Sequence, residues 1–182
     1  MAQVIHELWM NDDPSVAIMP GSVTISSPRV EPELLKYLDN HWQGILSGDV
    51  EGPTSTPYKI DQAAPNLNRY SATRRVARTI FMGTAPTHAQ QNTGLDDKQI
   101  NLGVVQPGER PMIFGDALRR LANQAKFMHS DLGRYWYSTT PSLNRLAADR
   151  AAQMEAALID IEIDKALAKY VNSLADRGNI DT

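Results

Sequence analysis

The chain has 182 residues, 42% hydrophobic and 21% charged, a balance that supports a buried core and excludes wholesale disorder. Its formal charge is −3 and it contains no cysteine, so disulfides, thiolate catalysis and cysteine-ligated zinc or iron–sulfur sites are excluded. The N-terminus lacks a basic leader before an apolar core and no run approaches the roughly 18 apolar residues of a membrane span, so the expectation is a cytoplasmic protein without membrane contact, one domain or two small ones.

In chain order, a short helix over residues 2–10 ends in the turn-forming run Asn11-Asp12-Asp13-Pro14, and residues 16–25, broken by Pro20-Gly21, read as an irregular connection. Ser27-Pro28 then suits a cap and first helical position, and Leu34, Leu35, Leu38, Trp42, Ile45 and Leu46 fall on one face of a single following helix. Residues 48–68 hold Gly52-Pro53, Pro57 and Pro65 among polar residues, a composition that predicts a long loop and a subdomain boundary. Ser71 is placed to cap a helix that buries Val76, Ala77, Ile80 and Phe81 and stops at Gly83, followed by a polar loop over 84–94.

Asp96 or Asp97 caps a short element through Val105, read as helix although Ile100, Leu102 and Val104 also alternate as in a strand. After the turn Gln106-Pro107-Gly108, residues 112–129 predict a strong helix with Phe114, Ala117, Leu118, Leu121, Ala122, Ala125 and Met128 inward. A turn at Asp131-Leu132-Gly133 leads into Arg134-Tyr135-Trp136-Tyr137-Ser138-Thr139, the best strand candidate, with Trp136 opposite its two neighbours. Thr140-Pro141-Ser142 opens a long alanine-rich helix with Leu143, Leu146, Met154, Leu158 and Ile161 along it, ended by Gly178.

The predicted fold is mainly α: a helical bundle with a winged-helix-like centre, a short β-wing and a long C-terminal helix. Three parts are expected: a helical, lid-like region with linker over 1–61, a winged-helix-like domain over 62–141 and a C-terminal helical extension over 142–182. Charge divides similarly, at −6 over 1–61, +5 over 62–134 and −2 over 135–182. The basic middle marks either a phosphate-facing surface or solvated helix arginines. In a winged helix the longer helix enters the major groove and the strand belongs to the wing. On that mapping Arg119, Arg120, Asn123, Gln124 and Lys126, with Arg134 on the wing, are the candidate nucleic-acid contacts; the alternative is an ordinary solvated face.

Catalytic signatures are missing: there is no GxxxxGK[ST], HExxH, GxSxG or glycine fingerprint, and His6, His41, His88 and His129 lack metal-ligand spacing. No catalytic residue, metal or cofactor is therefore assigned to the chain itself.

The segments NLNRYSATRRVARTIFMGTAP (66–86), LDDKQINLGVVQPGE (95–109), FGDALRRLANQAKFMH (114–129), RYWYSTTPSLNRLAADRA (134–151) and LWMNDDPSVAIMPG (8–21) resemble a bacterial and archaeal family of large predicted AAA+-type ATPases of unknown function, associated with phage-defence islands. The nucleotide-binding motifs of that family lie N-terminal to the resembling region and do not occur here. The resemblance thus implies a post-ATPase piece of a longer chain, or a stand-alone relative that lost ATP hydrolysis, with ATP and Mg belonging to the parent protein. It also implies an arginine set against the nucleotide's phosphates, as the lids of such ATPases commonly place one. Arg74, Arg75 and Arg78, on a basic helical segment, are sensing candidates in the intact protein, the alternative being structural or solvated arginines. The expected partners are DNA, the ATPase core of the parent chain, further copies of itself or other defence proteins. The competing reading is a protein-interaction or oligomerisation module that binds no nucleic acid.

Overall fold

Asx turns and prolines, rather than apolar periodicity alone, set the helix starts in the first third of the chain. The computed structural model, described over residues 2–13, 15–87, 94–153 and 156–175, has α1 at Ala2–Met10, α2 at Glu31–Leu35 and α3 at His41–Ile45, the last running into a π-helical turn at Leu46–Val50. One continuous helix is expected from periodicity over 27–46. The chain is divided instead because the Asp39 carboxylate accepts from the His41 amide at 3.0 Å, a local turn that competes with the helical ladder.

The prolines of residues 48–68 open helices instead of filling a loop. Here α4 spans Thr56–Ala63 and α5 spans Pro65–Asn68. Ser55 caps α4 by accepting from the Tyr58 amide, with Pro57 in the first turn, while Ala64 is extended and Pro65 begins α5. First-turn amides have no helical acceptor, so the missing N–H of proline costs nothing there.

The centre of the chain continues as α6 (Ala72–Thr84), β1 (Leu95–Asp96), α7 (Asp97–Val104), α8 (Pro111–Gln124), β2 (Met128–Asp131) and β3 (Arg134–Tyr137). The strands form one antiparallel sheet in the order β1-β3-β2, with Leu95 opposite Tyr135 and Met128 opposite Tyr137. Three helices with a strand between the first two, closed by a hairpin whose inner strand pairs with it, make the winged-helix arrangement. Asp96 and Gln99 cap α7 reciprocally, the Asp96 carboxylate accepting from the Gln99 amide at 2.9 Å.

The helix expected over 112–129 ends at Gln124. Ala125 turns extended, and the residues after it become β2, where pairing with β3 occupies the backbone groups and Met128 stays buried. The hairpin turns on Leu132-Gly133, with φ of +47° and +74°, the two positive values of a type I′ turn. A leucine resists that region by about 1–2 kcal/mol, yet Leu132 is 96% exposed at the tip.

Trp42, Phe81 and Tyr137 are enclosed and meet edge to face at 5.7 and 6.4 Å, so that α3, α6 and β3 share a core. Asp49 ties the same regions together: its carboxylate accepts from the Phe127 amide at 2.5 Å and from the Thr56 hydroxyl at 3.2 Å, and its carbonyl accepts from the Tyr137 hydroxyl at 2.7 Å. Burial pushes the Asp49 carboxyl above its usual range. It does the same, more strongly, to the Tyr137 hydroxyl, with the Asp49 charge adding to it.

Residues Met1–Arg145 form one compact unit and Leu146–Thr182 a second. The expected long C-terminal helix is present as two, α9 at Leu143–Ala152 and α10 at Ala156–Ala175, interrupted by a turn at Gln153. Residues 88–93 of the polar loop, including His88, together with Met154 and the helix end at Gly178, lie outside the described residues. No helix among the described residues is long and apolar enough to cross a membrane.

Candidate functional site

Helix α8 separates its faces cleanly. Phe114, Ala117, Leu118 and Leu121 point into the core, while Met112, Arg119, Arg120, Asn123 and Gln124 are exposed. Asp116 sits one turn before the two arginines. Its Oδ1 accepts from Arg119 Nη2 at 2.6 Å and its Oδ2 from Arg120 Nε at 3.0 Å, the i,i+3 and i,i+4 contacts of one helix surface. Partial burial works to raise the Asp116 carboxyl, but the hydrogen bonds and charges of both arginines outweigh it and hold the group below its usual range. Two cations thus share one anion, and the face keeps a positive charge presented on extended, preoriented guanidinium groups.

The remaining predicted contacts flank that helix. Lys126 is exposed, its ammonium 5.5 Å from the Phe127 ring centroid. Arg134 is half-buried at the first position of β3, in register with Asp131 and Asp96, and Nη1 donates to the Gly94 carbonyl at 3.2 Å. On the hairpin, Trp136 stacks on His129 with centroids 5.7 Å apart and planes 17° from parallel. This pair is not legible while His129 is read as a helix end; the cross-strand register of β2 and β3 puts the two residues opposite each other.

The three arginines of α6 hold carboxylates from distant parts of the chain. Asp61, fully buried, accepts from the Thr73 and Arg74 amides at 2.9 and 3.3 Å and from Arg74 Nε at 3.2 Å. It caps α6 from outside, a place where unpaired amides and the helix dipole favour a negative charge. Ser71, expected to be that cap, has a left-handed backbone at φ +47° and its hydroxyl accepts from Arg74 Nη2 instead. Arg75 grips Glu109 through both terminal nitrogens at 2.8 and 3.0 Å, donates to the Val104 carbonyl and lies 4.9 Å over the Phe114 ring. Arg78 forms a two-point pair with buried Glu51 and donates to the Gly21 carbonyl at 3.1 Å, while Glu51 also accepts from the Ile25 amide at 2.9 Å. These are bidentate guanidinium–carboxylate contacts at low exposure.

Above them lies an open cleft of about 520 Å³ bounded by Ser22, Arg69, Ser71, Arg75, Arg78 and Glu109. Arg75 and Arg78 there have anionic partners within the fold, whereas α8 presents two exposed arginines on one shared carboxylate. Among the described residues no three histidines or carboxylates gather in a way that suits a metal ion. The chain matches no protein-family model, no curated protein and no solved structure.

Proposed function

We propose that the chain is a non-catalytic winged-helix module that docks on duplex DNA through α8 and the β2–β3 hairpin, as an accessory part of an ATP-dependent machine whose nucleotide chemistry lies elsewhere. The observation that carries this reading is the outward row of Arg119, Arg120, Asn123 and Gln124 on α8, the helix that a winged helix presents to a groove. An α-helix about 10–12 Å across fits the B-form major groove, about 12 Å wide. Arginine suits phosphates and the guanine edge, and asparagine and glutamine suit the adenine edge. Leu132, projecting from the hairpin tip, is an apolar wedge of the kind that enters a minor groove.

Anisotropy titration of a labelled duplex at several salt concentrations tests this. Changing Arg119 and Arg120 together to alanine is expected to weaken binding about tenfold or more and to lower the slope of log affinity against log salt by about 2 units, since about 0.9 counterion is released per neutralised phosphate. The change also leaves Asp116 as an uncompensated negative charge on the docking face. Affinity unchanged in the double variant would remove α8 from the interface. A protein-docking role for the same face is favoured by the exposed side chains of Leu102, Met112 and Leu132, and is separated from DNA docking by binding that survives high salt.

A further inference from the structure

Helix α10 is 20 residues long, and every residue from 160 to 172 is exposed. Ile163, Leu167 and Val171 are 51%, 56% and 59% exposed and recur every fourth residue, with Ala166 and Tyr170 between them, so the apolar side chains form one stripe down the helix. Single exposed apolar residues are ordinary, but a continuous stripe at helical spacing is the form of a helix-pairing seam.

The order of charges says what covers it. Asp160, Glu162 and Asp164 occupy the N-terminal half of the described stretch and Lys165 and Lys169 the C-terminal half; Lys165 bonds back to Glu162 at 2.8 Å. A second α10 lying parallel and in register sets acidic half against acidic half. An antiparallel one, centred between Asp164 and Lys165, sets acidic against basic. In that register Ile163 of each copy faces Ala166 of the other, a large residue against a small one. Glu162 then flanks Lys169 of the second copy at both ends of the pair. We infer that α10 is an antiparallel self-association helix whose stripe is covered by α10 of a second copy of this chain, whether or not α8 binds DNA.

Sedimentation equilibrium of the full chain tests the pairing, with circular dichroism to verify that helix content is kept. The wild-type chain is expected to dimerise with rising concentration. Glu162→Lys alone places two lysines together at each end, and Lys169→Glu alone places two acids together. Each single variant is expected to raise the dissociation constant by roughly tenfold or more, as two attractive flanking pairs become repulsive. An equimolar mixture of the two single variants should dimerise again, because every flanking contact between them is complementary, and the double variant should recover likewise. A wild-type chain that stays monomeric throughout, or a dimer indifferent to the single changes, overturns the inference.

Discussion

Replacing Arg78 by methionine is expected to cost the fold about 3–5 kcal/mol, the range for removing one partner of a buried ion pair. Glu51 is 6% exposed, and its carboxylate takes Arg78 through two points while also accepting the Ile25 amide. Without the guanidinium, that charge remains in the interior with only the Ile25 and Ser26 amides, at 2.9 and 3.4 Å, as donors, and the Gly21 carbonyl loses its donor. The loss should appear as an earlier urea midpoint followed by tryptophan fluorescence. Adding Glu51→Gln to Arg78→Met should restore a large part of it, since the amide keeps an acceptor for Ile25 and carries no charge. An arginine held only to meet a ligand in the cleft would show neither effect, so the pair of variants decides whether α6 carries a structural clamp.

Trp42→Ala is expected to cost a similar amount, about 3–5 kcal/mol, the usual range for emptying a large aromatic site in a core. Trp42 is fully enclosed and packs on Phe81, which packs in turn on Tyr137. Its removal should therefore loosen not only α3 but also α6 and β3. Amide hydrogen exchange is the suitable measurement: faster exchange at Tyr137 and through α6 is expected, and protection unchanged there with loss confined to 41–50 would mean that the first segments only decorate an independent centre.

What the sequence reveals follows from which interactions are local. The apolar row of α6 and the inward Phe114, Ala117, Leu118 and Leu121 of α8 repeat at spacings of three and four, and the structure keeps them; of the two candidate caps Asp96 and Asp97 it engages Asp96. The prolines at 57 and 65 are ambiguous locally, because the same residue interrupts a helix or begins one according to whether an upstream cap such as Ser55 is engaged. Strand β1, two residues long, carries no periodicity, and β2 exists because β3 lies beside it. For the candidate site, the outward residues of α8 are legible from helical spacing. The partners of Arg74, Arg75 and Arg78 are not, because Asp61, Glu109 and Glu51 stand 13, 34 and 27 residues away and nothing in the arginine cluster names them.

Amide chemical-shift mapping of the full chain during titration with a duplex DNA tests the docking surface most directly. Perturbations are expected along 119–126 and across the hairpin tip at 131–134, with the core of α6 unmoved. Shifts that leave α8 untouched, or that gather instead around Ser71, Arg75 and Glu109 at the cleft, would contradict the assignment.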